Sequence, residues 1–255
     1  MISNFFEVFV LSAIQGVSEF LPISSAAHLI IASEIYQFKK QSLLIDISLH
    51  LGSLLAILFY FKNEILDFRQ NINLFYKLLI SSLPLILIGY FLYNTGLIYK
   101  LRDIKVIAWA TLFFGILMYI ADKNKLLKKI NTDFNIKSAL IIGIFQILAL
   151  IPGVSRAGIT ITAGRILGFD RTSSAKISFY LSIPALIGAS TLGVKDLFKE
   201  STEFNILAAV GIFFSFLFSF ITIKFFLKYI KNFSLNIFVI YRMLLAIILF
   251  YIIYF

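Results

Sequence analysis

Two short stretches place side chains capable of phosphate chemistry inside otherwise apolar sequence. The first spans residues 15–28 and reads QGVSEFLPISSAAH, and the second spans residues 146–160 and reads QILALIPGVSRAGIT. Each contains a glutamine, a short apolar run, a proline and, three residues after the proline, a serine. Ionisable groups in lipid-like sequence cost roughly 2.5–3.5 kcal/mol each on insertion, so they usually mark function. The pair predicts one site built from two halves of a membrane protein.

The first stretch combines an acid, an amide, two hydroxyls and an imidazole. Gln15 and Glu19 are four residues apart and share one face of a helix. After the proline ends that helix, Ser24 or Ser25 can cap the next one, and a helix start is a natural anion site. His28 follows three residues after Ser25, so the two predict a nucleophile beside an acid–base group. The alternative is a buried hydrogen-bonded cluster that only supports a bend.

The second stretch adds a cationic group. Ser155 is placed to cap a helix, which leaves the N–H groups of Arg156 to Gly158 facing the break, and Thr160 adds a hydroxyl. The Arg156 guanidinium suits bidentate binding of a phosphate. The alternative role for Arg156 is a structural ion pair with Glu19.

Together these groups predict a site for a dianionic or trianionic head group. Two helix starts and Arg156 would hold phosphate oxygens. Glu19, helped by Gln15, would hold a divalent cation, Mg²⁺ or Ca²⁺, because such cations prefer oxygen ligands.

The composition defines the class of protein. The chain has 255 residues, is 60% hydrophobic and 14% charged, and has a mean hydropathy of +0.95. These values predict a polytopic membrane protein. The absence of cysteine excludes disulfides and thiolate metal sites. We interpret the net charge of +10 as loop charges that set topology rather than as a nucleic-acid surface. The start of the chain has no basic region or cleavage site, so we expect the first helix to stay in the fold.

Ten apolar segments organise the chain as a single membrane domain, residues 1–255. Six of them approach or exceed the ~20 residues that span a bilayer. The other four form two pairs broken by proline and serine, which we interpret as re-entrant helical hairpins at 5–37 and 138–168. The segments are 5–21, 25–37, 43–61, 74–93, 104–121, 138–151, 156–168, 174–193, 204–227 and 235–255.

The order of the segments predicts an all-α fold of two inverted repeats, 1–121 and 138–255, joined by a cytoplasmic linker at 122–137. Each repeat is a re-entrant hairpin followed by three transmembrane helices, which gives six full spans and two hairpins. Three crossings are an odd number, so the second repeat starts from the opposite side.

The loop charges predict the orientation of the chain. The side with more Lys and Arg should be cytoplasmic, so both termini face outward. We interpret the basic linker as a solvated topology signal. One side carries Lys39, Lys40, Lys100, Arg102, Lys105, Lys195 and Lys199; the other carries Lys62, Arg69, Lys77, Lys123, Lys125, Lys128, Lys129, Lys137, Arg171, Lys176, Lys224, Lys228 and Lys231.

The two motifs resemble the signatures of the bacterial undecaprenyl pyrophosphate phosphatase family, which is associated with bacitracin resistance. Segments 49–53, 167–171 and 178–184 are also similar to family segments. The resemblance implies removal of the terminal phosphate from undecaprenyl pyrophosphate, which returns the lipid carrier to cell-wall synthesis. It further implies a divalent cation and a site in the bacterial inner membrane that is reached from the outer face.

The family's functional residues carry over onto several positions of this chain. Gln15 falls where the family has Glu or Gln, while Ala157, Ala26–Ala27 and Lys176 depart from common family residues. The departure at Ala157 removes one expected phosphate hydrogen bond. The matching positions are Glu19, Ser25, His28, Ser155, Arg156 and Thr160.

Four further charged or titratable residues lie in apolar surroundings. Asp46 and His50, four apart, are interpreted either as groups that support the site or as a buried structural pair. We expect Arg165 to extend its charge to the membrane surface and Arg242 to pair internally, outside the site.

Two rival functions use the same architecture. Inverted repeats with broken helices also occur in transporters, so an ion-coupled carrier or lipid-phosphate flippase is the alternative to the phosphatase. The Ser, His and Glu set facing an arginine favours the enzyme, since a carrier needs no nucleophile. A non-catalytic scaffold would leave both breaks unexplained. The oligomeric state is open, and a homodimer is possible.

Overall fold

The computed structural model describes residues 2–36, 43–67, 71–125, 127–197 and 201–255. Within these ranges the regular secondary structure is all helical, apart from one isolated β-bridge between Lys128 and Phe169. Each of the ten predicted apolar segments overlaps a helix, and three short helices connect them. The helices are α1 (Ile2–Ser18), α2 (Ser25–Tyr36), α3 (Leu43–Tyr60), α4 (Lys62–Leu66), α5 (Ile72–Asn94), α6 (Leu97–Lys100), α7 (Ile104–Asp122), α8 (Ile130–Asp133), α9 (Ile136–Ile147), α10 (Arg156–Ile166), α11 (Arg171–Leu197), α12 (Thr202–Asn232) and α13 (Asn236–Tyr254), with a 3₁₀ turn at Leu148–Leu150.

Four helices of the described residues, α5, α7, α12 and α13, are long and apolar enough to cross a bilayer. The protein is therefore a multi-pass membrane protein, as its composition predicted. The predicted spans at 43–61 and 174–193 are not among these four. Residues 44–60 of α3 form a shorter apolar helix, and α11 carries Arg171, Lys176 and several serines. The prediction of six full spans is thus met in four cases by length and composition.

The two predicted breaks are present, and each ends at a serine with an unusual backbone. We call residues 19–24 the first break and residues 151–155 the second break. Ser24 has a φ of 77° and Ser155 a φ of 70°, which is uncommon for residues other than glycine. The Ser24 hydroxyl accepts from the N–H of Ala27 at 3.4 Å, and that of Ser155 accepts from Gly158 at 3.0 Å. Both serines therefore cap the helix that follows.

The structural counterpart of Ser155 is Ser24, not Ser25 as the spacing from the prolines suggested. Ser24 follows Gln15 by nine residues, and Ser155 follows Gln146 by nine residues. The second break has one more residue between its proline and its capping serine, so the distance from the proline is a poor guide. Ser25 and Arg156 are consequently equivalent: each is the first residue of its helix.

The two breaks contact each other directly. The N–H of Gly153 donates to the Ser24 hydroxyl at 3.2 Å. Gly153 has a φ of +95°, and a Cβ there would lie 2.6 Å from the carbonyl oxygen of Ile107, so only glycine fits. The two predicted breaks therefore meet at this contact.

An aromatic core holds the helices around the breaks. Phe20, in the first break, packs edge-on against Phe179 of α11 with ring centroids 5.3 Å apart. Phe179 in turn packs on Phe226 of α12 at 5.7 Å. Since all three rings are fully buried, the first break lies against the protein core rather than lipid, as an irregular backbone in a membrane requires.

The linker and the end of α10 form an ordered junction. Arg165 is 3% exposed and lies 3.3 Å from the Asp122 carboxylate, while its Nη1 donates to the Phe169 carbonyl at 2.6 Å. It therefore does not extend to the membrane surface as expected, because Asp122 and nearby carbonyls satisfy its charge inside the protein. In the linker, Lys129 pairs with Asp170 at 2.5 Å, while 65% of its side chain stays exposed, as a solvated basic run would be.

Candidate active site

The Glu19 carboxylate is the centre of the candidate site. Its Oε1 accepts from Nη2 of Arg156 at 2.9 Å. Its Oε2 accepts from the Ser25 hydroxyl at 2.6 Å and from Nε2 of Gln15 at 3.0 Å. The structure thus brings together four of the residues predicted from the two motifs. The ion pair that we considered as an alternative role for Arg156 is also present.

The two breaks position these side chains. Glu19 directly follows α1 and keeps a helical bond to the Gln15 carbonyl, at 2.9 Å. Ser25 and Arg156 are the first residues of α2 and α10, so both lie at helix starts. Nη1 of Arg156 donates to the Ser178 carbonyl of α11 at 2.8 Å, which fixes the guanidinium from behind.

A cavity of about 480 Å³ opens beside this cluster. Its polar lining includes five of the predicted site residues, and apolar side chains from α5, the 3₁₀ turn and α11 line much of the rest. The site residues are Glu19, Ser24, Ser25, Ser155 and Arg156. The cavity can therefore admit a group with one anionic end and an apolar remainder.

Three predicted site residues are buried and do not line the cavity. Gln15 is fully buried. The N–H of Gly158 is taken by the Ser155 hydroxyl. Thr160 Oγ1 lies 2.8 Å from the carbonyl oxygen of Arg156 and 2.8 Å from the Ser178 hydroxyl. In this structure these groups support the lining residues, and the prediction that they bind phosphate directly stays a prediction.

The structure brings the His28 ring to the backbone of Ser24 but not to the Glu19, Ser25 and Arg156 side chains. Its Nδ1 lies 2.6 Å from the Ser24 carbonyl, and its Nε2 lies 2.5 Å from the Tyr241 hydroxyl of α13. The ring also stacks on Tyr241, with centroids 5.7 Å apart. Because the imidazole folds back over the start of α2, it faces α13 and not Ser25. Its predicted catalytic role stays a prediction.

The imidazole that faces Glu19 belongs to His50 of α3. Its Nε2 lies 3.7 Å from Oε2 of Glu19, and its Nδ1 lies 2.6 Å from the Asp46 carbonyl. Asp46 pairs with Arg102 at 3.2 Å, and all three side chains line the cavity. Of the two interpretations of Asp46 and His50, the structure supports the one in which they adjoin the site. The signal in the sequence was the spacing of four residues between Asp46 and His50 within an apolar helix.

A set of serines that sequence reasoning missed lies behind Gln15. Nε2 of Gln15 lies 3.3 Å from the Ser53 hydroxyl. That hydroxyl accepts from the Ser219 hydroxyl at 2.9 Å and lies 3.2 Å from the Ser215 hydroxyl. These serines are fully buried. Their signal was hydroxyls within apolar spans, which is too common in membrane helices to single out a site.

The chemistry of the site residues suits a hard divalent cation, but the protein offers few ligands for one. Glu19 offers carboxylate oxygens, and the buried Oε1 of Gln15, one turn away, has no hydrogen-bond partner. No cluster of three or more His, Cys, Asp or Glu that could hold a metal ion is found among the described residues. A cation would therefore need oxygens from the ligand and water, as Mg²⁺ usually does.

The fold and the site define a class of protein: a multi-pass membrane protein with a hydroxyl, a carboxylate and an arginine gathered at two helix breaks. Comparison with known proteins identifies the family within this class. Residues 8–248 match the family described as bacitracin resistance protein BacA, and the chain belongs to that family.

Two named relatives are similar to the chain over nearly its whole length. An undecaprenyl-diphosphatase of Pelagibacter ubique (strain HTCC1062) is 57% identical over 255 residues, which covers all of both chains. An undecaprenyl-diphosphatase of Aliivibrio salmonicida (strain LFI1238) is 38% identical over 257 residues, covering 95% of this chain and 96% of the relative. These names agree with the family to which the two motifs pointed.

Proposed function

We propose that the protein hydrolyses undecaprenyl pyrophosphate to undecaprenyl phosphate and inorganic phosphate, and so recycles the lipid carrier for cell-wall synthesis. The observation that carries this proposal is the 2.6 Å hydrogen bond from the Ser25 hydroxyl to Oε2 of Glu19. A serine whose proton already points at a carboxylate is a prepared nucleophile. The names of the two relatives support the same reaction.

In the first step Ser25 Oγ attacks the terminal phosphorus. The P–O bond to the bridging oxygen breaks, undecaprenyl phosphate leaves, and the serine proton passes to Glu19. Arg156 lies 2.9 Å from the same carboxylate, so its guanidinium can turn to the phosphoryl oxygens as charge develops on them. Positioning and charge stabilisation of this kind supply most of the catalysis in phosphoryl transfer.

In the second step water attacks the phosphorylated serine. Glu19, having passed the serine proton on to the departing undecaprenyl phosphate, takes a proton from the water and returns it to Ser25 Oγ as the P–Oγ bond breaks and inorganic phosphate is released. The nucleophile was left open between Ser25, His28 and a cation-bound water. The geometry favours Ser25, because it lines the cavity and contacts the carboxylate, whereas the His28 ring contacts Tyr241.

The shape of the cavity suits the rest of the substrate. Its polar end is formed by the two breaks, and its apolar walls would accept the first units of a polyprenyl chain. The membrane-spanning helix α5 forms one wall of the cavity, and from there a bound chain would continue into the bilayer. The apolar lining includes Leu85, Ile86 and Leu87 of α5, Leu150 of the 3₁₀ turn, and Ala185, Leu186 and Ala189 of α11.

Mg²⁺ or Ca²⁺ would be held by Glu19, with Gln15 nearby, together with oxygens of the pyrophosphate. When bound, such a cation would neutralise charge on the phosphate oxygens. Gln15 could reach it only if its amide turned, because in this structure its nitrogen faces Glu19.

The chain is proposed to lie in the bacterial inner membrane with both termini outward and residues 122–137 in the cytoplasm. Arg102, which we place on the outer side by charge, lines the cavity with Glu19, and this supports access from the outer face. Residues 1–121 and 138–255 would be inverted repeats. A homodimer would contain two complete sites, since every residue named here comes from one chain.

The test is phosphate release from undecaprenyl pyrophosphate by the purified protein in detergent, with and without a chelator. We expect multiple turnovers, reduced by chelation. Transport of a lipid phosphate across proteoliposomes without phosphate release would favour the carrier instead.

A further inference from the structure

Arg242 of α13 is a fully buried arginine, 1% exposed, that sequence reasoning left outside the site. All of its hydrogen bonds go to backbone carbonyls of three separate chain segments. No carboxylate of the described residues lies within ion-pair distance of it, so the expected internal pairing is with carbonyls. The bonds run to Pro22 at 3.3 Å, Gly153 at 2.9 Å, Val154 at 3.1 Å, Ala110 at 3.4 Å and Thr111 at 3.2 Å.

The carbonyls of Pro22, Gly153 and Val154 need a donor because the helices are interrupted there, whereas Ala110 and Thr111 lie within α7. Pro22 lies in the first break, and Gly153 and Val154 lie in the second, where no regular helical partner is available. The hydrocarbon core of the bilayer supplies no water to such groups, so they need partners inside the protein. A guanidinium has five N–H donors in a planar fork, so one side chain can serve both breaks at once. A lysine ammonium could not reach all of these oxygens.

The segments held by Arg242 are those that carry the candidate active site. Pro22 lies three residues from both Glu19 and Ser25, and Val154 lies two residues before Arg156. Arg242 therefore bridges the segment that carries the carboxylate and hydroxyl to the segment that carries the guanidinium.

We propose that Arg242 is a positioning residue for phosphoryl transfer: it fixes the first break against the second and so sets the placement of Arg156 relative to Glu19 and Ser25. This inference rests on the active site proposed above. The opposing account is that Arg242 only stabilises the fold.

Arg165 offers a matched control for that opposing account. It is also a buried arginine, 3% exposed, that donates to backbone carbonyls, including those of Phe169 at 2.6 Å and Asp122 at 3.1 Å. It lies at the opposite end of α10 from the second break. A role in stability alone would make substitutions at the two arginines behave alike.

The first measurement is kinetic, on R242M, R242K and R165M, with rates expressed per folded protein. We expect R242M to lower kcat about 100-fold, as small misplacements of reacting groups can, with little change in KM. R242K should lose most of the same activity, because the ammonium cannot bridge the two breaks. R165M should lower the melting temperature and leave kcat close to that of the parent.

The second measurement reports the geometry without any substrate. The chain has no cysteine, so spin labels can be attached at V17C on α1 and I144C on α9, both exposed positions. We expect R242M to broaden the distance distribution between the labels and R165M to leave it unchanged. If R242M does not fold, R242K replaces it in both measurements.

An unchanged distance distribution in R242M, or a kcat no lower than that of R165M, would overturn the proposal. Failure of this proposal and failure of the proposed function can be told apart. If the parent protein released no phosphate, the proposed function would fail, while the spin-label distances would still test whether Arg242 fixes the breaks.

Discussion

Nη2 of Arg156 lies 2.9 Å from Oε1 of Glu19, and this contact joins the second break to the first. Both side chains are largely buried, and the guanidinium is anchored to the Ser178 carbonyl by its other nitrogen. The arginine is thus held at the site by two contacts before substrate arrives.

We expect R156K to lower kcat/KM by roughly 10²–10³-fold while the protein still inserts and folds. Lysine keeps the charge but loses the planar fork that can hold two phosphate oxygens, and loss of one such donor has an effect of this order. The measurements are phosphate release and the melting temperature in detergent. Near-normal turnover by R156K would remove Arg156 from the transition-state role.

His28 and Tyr241 provide a test of what the first imidazole does. In the structure the two rings stack and share a 2.5 Å contact, so His28 would act by holding the start of α2. We then expect H28A and Y241F to lower turnover by similar factors, since each breaks the same contact. If H28A abolishes phosphate release and Y241F does not, His28 takes part in the chemistry directly.

The helices and the two breaks could be predicted from the sequence because the signals for them are local. Apolar runs located every long helix, and the interruptions located both breaks. Glu19, Ser25 and Arg156 were predicted to converge, and they do.

The orientation of single side chains could not be predicted, because tertiary contacts decide it. His28 faces α13 since Tyr241 is there to receive it, and a residue more than 200 positions away gives no local signal. The bonds that Arg242 makes to both breaks are equally long-range. Arg165 was expected at the membrane surface, but Asp122 on α7 keeps it inside.

Gly52 lets α12 approach α3 closely, and its substitution should destabilise the fold. A Cβ at Gly52 would lie 2.4 Å from the Ile212 carbonyl oxygen and 2.8 Å from Ser215 Cβ. We expect G52A to lower the free energy of unfolding by about 1–3 kcal/mol, as overpacking does. G188A is the control, because a Cβ there meets only Ile86 at 3.6 Å. Equal melting temperatures for the two variants would contradict this packing.

Cysteine accessibility tests the proposed topology in a chain that has no cysteine of its own. We expect N4C and E34C, which lie near the two ends of the first hairpin, and K100C to react with a membrane-impermeant reagent from outside. K125C in the linker should react only after the membrane is opened. Labelling of K125C from outside would reverse the orientation, and opposite sides for N4C and E34C would show that the first hairpin crosses the membrane.

The most direct test of the central claim compares phosphate release by S25A with that by S33A. Both serines lie on α2, but Ser25 donates to Glu19 at 2.6 Å, whereas Ser33 donates to the Leu29 carbonyl of its own helix at 2.8 Å. If Ser25 is the nucleophile, S25A should release phosphate from undecaprenyl pyrophosphate more than about 10³-fold more slowly than the parent, and S33A should match the parent. Turnover by S25A at the parent rate would contradict the account.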